Sequence, residues 1–208
     1  MKRIFGLDQE NLLSENISLT EAYVLRYVLV NLGFIHNHHF RCSDREKEKL
    51  LKDLSFLHLS KRTLDQYLRN IREQKQRYQF GILKLTDTNK DIDVFGYPTT
   101  ILDEYDLDLK DMLIIHYINE ISYSNTMFHI RINQKTYTYL TLSRLLRDYP
   151  ILKLGQSGLK RRVNILMKKG LIDRKSIYDK FTNTRKNYYR LNISKLYEKK
   201  EKTTMTSV

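Results

Sequence analysis

The sequence predicts a mainly α-helical protein with small β-hairpins, an α+β chain whose two halves share one element order. Three observations carry this expectation. Hydroxyl and carboxylate residues stand three positions ahead of acids just before apolar stripes at helical spacing, the signature of capped helices. Alternating runs flank short polar turns, the signature of hairpins. The basic charge is also unevenly divided. Residues 1–104 hold 16 Lys and Arg against 15 Asp and Glu, whereas residues 105–208 hold 21 against 9.

The elements follow in order. Ser18 and Glu21 form a capping box ahead of Leu25, Val28, Leu29 and Leu32, and Gly33 is a natural stop. Ser43 and Glu46 open a second helix bearing Leu50, Leu51, Leu54 and Leu57. Ser60 caps a third, from Lys61 to about Lys75, with Leu64, Tyr67, Leu68 and Ile71 on one face. Residues 79–85 and 92–97 read as strands around a turn at Asp87, Asn89, Lys90 and Asp91. Gly96-Tyr97-Pro98 and the acidic residues 103–108 mark a boundary. Beyond it, Asp108 caps a helix with Leu109, Met112, Leu113, Ile115 and Ile121. Residues 128–132 and 136–140 form a hairpin around Asn133, Gln134 and Lys135. A short helix, 142–149, ends at Pro150. Ser157 caps a helix to Lys169, Gly170 stops it, and 171–178 with 187–193 make a last hairpin whose tip is 179–186.

The expected organisation is an N-terminal arm (1–17), a first domain (18–104), a basic second domain (105–197) and a disordered tail (198–208). Only the order of elements recurs; no residue-level repeat is expected.

Composition narrows the function. The chain has 208 residues, a formal charge of +13 and one cysteine, Cys42. A single cysteine excludes an intramolecular disulfide and a thiolate-only metal site. No apolar run approaches the roughly 20 residues of a membrane span, and the first residues lack the apolar core of a secretion signal. The expected setting is the cytoplasm of a bacterial or phage-infected cell, near the nucleoid. His36, His38, His39 and Cys42 lie within seven residues, but adjacent histidines diverge, and a polar loop explains them. Asp87, Asp91 and Asp93 read as turn residues rather than a cation site. Tyr137, Tyr139, Tyr188 and Tyr189 read as strand residues packed on a sheet rather than nucleophiles. The chain lacks the phosphate-binding loop, the dinucleotide fingerprint and the nucleophile elbow. The expectation is a protein that is not an enzyme and takes no metal and no cofactor.

The charge then points to a polyanion. Residues 153–190 carry 12 basic residues against Asp173 and Asp179. At 100° per residue, Leu159, Val163, Leu166 and Met167 share an arc of about 100°. Arg161, Asn164 and Lys168 fall opposite, with Lys160 and Ile165 on the flanks. Long donors, an amide and one apolar group are the types that read base edges in the major groove. Ser157 can offer its hydroxyl or N–H to a phosphate. Lys180, Thr182, Asn183, Thr184, Arg185 and Lys186 form a tip read as having no bulky apolar residue, suited to backbone or minor-groove contact, and Arg174 and Lys175 add phosphate contacts.

The helix of Leu159, Val163, Leu166 and Met167, closing on Gly170 and followed by the apolar pair Leu171-Ile172, resembles the recognition helix and first wing strand of winged-helix DNA-binding proteins. The resemblance covers residues 105–195 well and 18–97 loosely. It implies two tandem winged-helix domains, with the third helix of each in the major groove and the hairpin on the flanking backbone. The tandem arrangement is similar to that of plasmid and phage replication initiators.

Double-stranded DNA is therefore the expected partner. The expected role is a sequence-specific transcriptional regulator of a mobile or phage element. The alternatives are an initiator binding origin repeats and an adaptor binding an acidic protein or RNA. In the first domain, Arg62, Gln66 and Arg69 face outward, but so do Asp65 and Glu73. That domain reads either as a second DNA-contacting unit or as a module for a homodimer or protein partner.

Overall fold

The computed structural model describes residues 3–31, 42–79, 93–192, 194 and 196, with the side chains of 74–79 excepted. It is a mixed helical and strand structure with small antiparallel sheets. The chain divides into two compact units, Met1–Asp103 and Glu104–Val208.

The first unit starts with more structure than an arm. Strands β1 (Arg3–Ile4) and β2 (Leu7–Asp8) pair across Phe5-Gly6, and α1 (Gln9–Ser14) follows directly. Both turn residues have positive φ, 54° and 77°, the geometry of a two-residue hairpin turn that favours glycine at its second position. Ile4, Leu7 and Leu12 are buried, which fixes the segment to the unit. Helix α2 (Leu19–Asn31) is its centre. Ser18 Oγ accepts from the Glu21 amide at 3.1 Å, and residues 21–28 are buried almost all round rather than along one stripe. Helix α3 (Asp44–Asp53) opens with the expected Ser43–Glu46 capping box. A 3-10 turn at Ser55–Leu57 leads to α4 (Lys61–Gln79), where Ser60 Oγ accepts from Thr63 N at 3.1 Å.

The strand read at 92–97 is not continuous. Strand β3 (Asp93–Val94) turns at Phe95-Gly96 and pairs with β4 (Tyr97–Pro98). Phe95 and Gly96 have φ of 57° and 83°, so the chain reverses where alternation alone reads extension. Nothing lies within 4 Å of a Cβ built on Gly96, so its backbone angle, not crowding, favours glycine there. The proposed partner strand 79–85 and the turn residues Asp87, Asn89, Lys90 and Asp91 lie outside the described residues, except for Gln79, which ends α4. Phe5 stacks on Phe95 at 4.6 Å, and the Tyr23 hydroxyl donates to the Asp93 carbonyl at 3.0 Å, so this second hairpin packs within the first unit. The expected tail, 198–208, also lies outside the described residues.

After α5 (Thr100–Glu104), the second unit is built around α6 (Leu109–Ser122), capped by Asp108 and Asp111 in a reciprocal box. Strands β5 (His129–Ile132) and β6 (Lys135–Tyr139) form a hairpin. Helix α7 (Leu142–Asp148) ends in a 3-10 turn begun by Pro150, and α8 (Gln156–Lys168) follows. Strands β7 (Ile172–Asp179) and β8 (Thr184–Leu191) complete a four-stranded sheet in the order β5-β6-β8-β7.

The chain does carry an internal correspondence at matched residues, which corrects the reading from sequence. Phe5-Gly6, Asn16 and Tyr27 match Phe95-Gly96, Asp106 and Tyr117, each 90 residues on. Asp53, His58, Leu64, Leu68 and Ile71 match Asp148, Lys153, Leu159, Val163 and Leu166, each 95 residues on. The matches are physical as well as positional. Asn16 and Asp106 both have positive φ, as do His58 and Lys153. The Tyr27 hydroxyl donates to Asp53 Oδ2 at 2.6 Å, and Tyr117 donates to Asp148 Oδ2 at 2.7 Å. The repeat hides from sequence because its marks are backbone angles and one tertiary hydrogen bond carried by common residue types.

Burial, and then the acceptor carboxylate, push both tyrosine hydroxyls above their usual titration range. A folded pKa above the unfolded one stabilises fully below the unfolded value and is lost as pH rises past it. Stability to urea is expected to fall as pH climbs above about 10. Tyr117→Phe is expected to cost about 1 kcal/mol at neutral pH and to flatten that alkaline decline, and Tyr27→Phe to do the same. Equal urea midpoints for wild type and both variants would remove the hydrogen bond from the account of the fold.

Candidate nucleic-acid interface

Helix α8 is capped at Gly155, not at Ser157. Gly155 is the N-cap, in extended conformation and without a side-chain cap, and Ser157 is an exposed residue of the first turn. The inward face is apolar: Leu159, Val163 and Leu166 are buried. Arg162 lies beside them and reaches the start of α6. Its Nη1 donates to Asp111 Oδ1 at 2.9 Å, and its Nη2 sits 2.8 Å from Asp108 Oδ2. Burial, together with Asp108, pushes the Asp111 carboxyl above its ordinary range, and Arg162 opposes the shift. At the end of α8, Lys169 Nζ donates to the carbonyls of Tyr105 and Asp106. Two cations thus lock α8 onto residues 105–111, and sequence reading assigned neither of them a role. Their signal was the position of Arg162 beside the apolar arc rather than opposite it.

The opposite face of α8 is left to solvent. Lys160, Arg161 and Lys168 are exposed, Asn164 is half-buried, and Ile165 is 37% exposed. With Ser157 and Met167 they line an open groove of about 830 Å³. The structure brings these predicted residues together on one surface.

The hairpin β7–β8 splits its predicted residues by alternation, since successive strand residues point to opposite faces. Arg174 and Arg185 line a groove of about 290 Å³ with Lys160, Asn164, Asn187 and Tyr189. Lys175 and Lys186 fall on the other face of the ribbon, with Tyr188 and Arg190. That face holds a row of aromatic and cationic contacts. Lys186 lies 5.9 Å from the Tyr139 ring, Tyr139 packs on Tyr188 at 5.6 Å, and Arg190 lies 5.8 Å from Tyr137. Tyr137 and Tyr189 are buried, so these four tyrosines pack on the sheet.

Ion pairing divides the basic residues further. Lys186 pairs with Asp179 at 2.5 Å and Arg190 with Asp173 at 2.6 Å. Lys186 and the Phe181 amide hold the Asp179 carboxyl at about 2. Among the described residues no acid lies within 4.0 Å of Lys160, Arg161, Lys168, Arg174, Lys175, Lys180 or Arg185. These seven are the exposed cations of α8 and the hairpin without an acidic partner among the described residues.

The tip differs from its reading. The strands run to Asp179 and from Thr184, so only 180–183 turn, and Thr184, Arg185 and Lys186 are strand residues. Lys180, Thr182 and Asn183 are exposed at the turn, and so is Phe181. The tip does carry a bulky apolar residue.

In the first unit Arg62, Gln66 and Arg69 are exposed on α4. Gln66 donates to Asn70, and Asn70 donates to Glu21 at 2.9 Å. Asp65 pairs with Lys47 at 2.9 Å. By the internal correspondence, Asp65 and Glu73 stand where α8 has Lys160 and Lys168. The Cys42 thiol is pushed up to about 11, chiefly by burial, which makes it a poor nucleophile at neutral pH. Among the described residues no three metal-ligating side chains cluster, and no helix is long and apolar enough to cross a membrane. His36, His38 and His39 lie outside the described residues.

Adjacent arginines offer a direct check on this division. Arg162→Met is expected to destabilise the chain by about 2 kcal/mol in urea or thermal unfolding, because Asp111 loses its cation in a buried setting. Arg161→Met is expected to stay within about 0.5 kcal/mol of wild type. Similar losses for both would show that α8 is not held by Arg162. Comparison with known proteins adds no identity to this geometry: no family model, curated protein or solved structure matches the chain.

Proposed function

We propose that the chain is a sequence-specific binder of double-stranded DNA, and that its second unit is a winged helix with α8 as recognition helix and β7–β8 as wing. The observation that carries this reading is the set of seven exposed cations without acidic partners among the described residues, six of them on α8, at the hairpin tip or on the hairpin face continuous with α8. Such a surface neutralises phosphates and releases counterions, while Arg161, Asn164 and Ile165 meet base edges. The element order supports the same reading: helix, hairpin, short helix, helix, hairpin, with β6 paired to β8. No step in this function requires a cofactor.

The first unit plays a different part. Acids at the positions of Lys160 and Lys168 repel phosphate, so this unit holds a second copy or a protein partner rather than reading a second half-site through α4. The role that fits is control of transcription by occupying a promoter, in a mobile or phage element. The duplicated architecture favours one second reading, an initiator seated on origin repeats. Footprinting separates them: a single operator at a promoter supports the first, and direct repeats beside an A·T-rich stretch support the second.

Selection of preferred duplexes from a random pool with the full chain is expected to return a short motif. On that motif, Arg161→Ala or Asn164→Ala is expected to cost about 1–3 kcal/mol and to relax specificity. Arg185→Ala is expected to weaken all duplexes alike and to reduce the salt slope by about one, while Lys175→Ala, on the far face, changes it less. Equal affinity for duplex, single strand and RNA would overturn the proposal.

A further inference from the structure

Phosphate contact does not explain Phe181. Its exposure is 102%, above that of any other large apolar side chain described, at a site where the flanking residues are polar or cationic. A phenyl ring in water forgoes the stabilisation that burial gives the apolar core. The turn that carries it is nonetheless well tied. The Phe181 amide donates to Asp179 Oδ1 at 2.9 Å, the Tyr178 hydroxyl donates to Asn183, and the Thr182 and Thr184 hydroxyls lie 2.8 Å apart. Asn183 takes the left-handed backbone that closes the turn, with φ of 52°. Lys186 fixes Asp179 from the opposite strand. The ring is therefore presented at the end of a two-stranded ribbon by a turn ordered before any partner arrives. Lys180 and Arg185 stand beside it with no acid within 4.0 Å among the described residues.

An apolar ring between free cations complements a surface that is anionic at its edges and apolar in a narrow slot. The minor groove of a duplex has that form, with phosphates on its walls and a base step at its floor. We propose that Phe181 is a wedge that enters the minor groove at a base step, partly unstacks it and kinks the duplex, with Lys180 and Arg185 on the flanking phosphates. This rests on reading the second unit as a duplex binder. The ordered turn means that few torsions are frozen on insertion. The ring also favours a step that unstacks readily, a pyrimidine–purine step such as TA or CA, so specificity arises at a position that no hydrogen bond reads.

The test uses the full chain and the duplex recovered by selection from the random pool. Fluorophores at the two ends report bending, and 2-aminopurine at the step facing the tip reports unstacking. The wild-type chain is expected to shorten the end-to-end distance and raise 2-aminopurine emission. Phe181→Ala is expected to bind about tenfold more weakly and leave the duplex straight and stacked, while Phe181→Leu keeps much of the bend. Because the ring touches nothing in the free protein, both variants are expected to melt with the wild type. Wild-type binding to a duplex that stays straight would overturn the wedge while leaving duplex recognition intact. So would a Phe181→Ala complex as bent as the wild type, the result expected if the ring serves a protein partner. Failure of the wild-type chain to bind any duplex would overturn the underlying reading together with the wedge.

Discussion

Arg162 decides which way α8 faces. Its guanidinium spans two carboxylates at the start of α6, and Lys169 repeats the attachment about two turns later through backbone carbonyls. Leu159, Val163 and Leu166 supply the apolar contact, but an apolar stripe alone tolerates rotation about the helix axis. A planar donor that must meet two acceptors does not. With Arg162 and Lys169 turned inward, Lys160, Arg161, Asn164 and Lys168 are turned outward by the geometry of the helix itself. The cap of one helix and the aim of another are thus set by the same pair of aspartates.

The same sorting runs through the hairpin. A run of basic residues looks uniform in sequence, yet Arg162, Lys169, Lys186 and Arg190 are held by acids, while Lys160, Arg161, Lys168, Arg174, Lys175, Lys180 and Arg185 have none within 4.0 Å among the described residues. The paired cations stiffen the unit, and the unpaired ones give it its field. Leaving like charges close together without acids weakens the fold by self-repulsion, a cost that an anionic partner would relieve. The division by strand face sharpens this, because Arg174 and Arg185 share a groove with α8 while Lys175 and Lys186 do not.

The internal correspondence gives the two units a common scaffold and different surfaces. Each has a buried central helix, a tyrosine donating from that helix to an aspartate before the next turn, and a left-handed residue ending that turn. The acid in the first turn of the central helix is bound by the third helix in both, Glu21 by Asn70 and Asp111 by Arg162. Outward positions have diverged in charge, from Lys160 and Lys168 in one to Asp65 and Glu73 in the other. Core positions answer to packing and change little in character. Surface positions answer to partners and are free to change sign.

What the sequence by itself determined is local. The capping box at Ser43, the cap at Asp108, the helical stripe of α8 and the hairpin turn at Asn133-Gln134 were legible because each rests on residues within one turn or one reversal of the chain. The concentration of cations in the second half was legible for the same reason. The tertiary structure alone decided which cations are spent on the fold, since Asp108 and Arg162 are 54 residues apart. It also decided the hairpins at Phe5-Gly6 and Phe95-Gly96, whose short strands carry almost no periodicity, and the extent of the β7–β8 hairpin, whose polar strands continue past the point where hydrophobic alternation stops. Local hydrogen bonds and side-chain period are written in neighbouring residues. Pairing, strand register and burial depend on what the folded chain brings alongside.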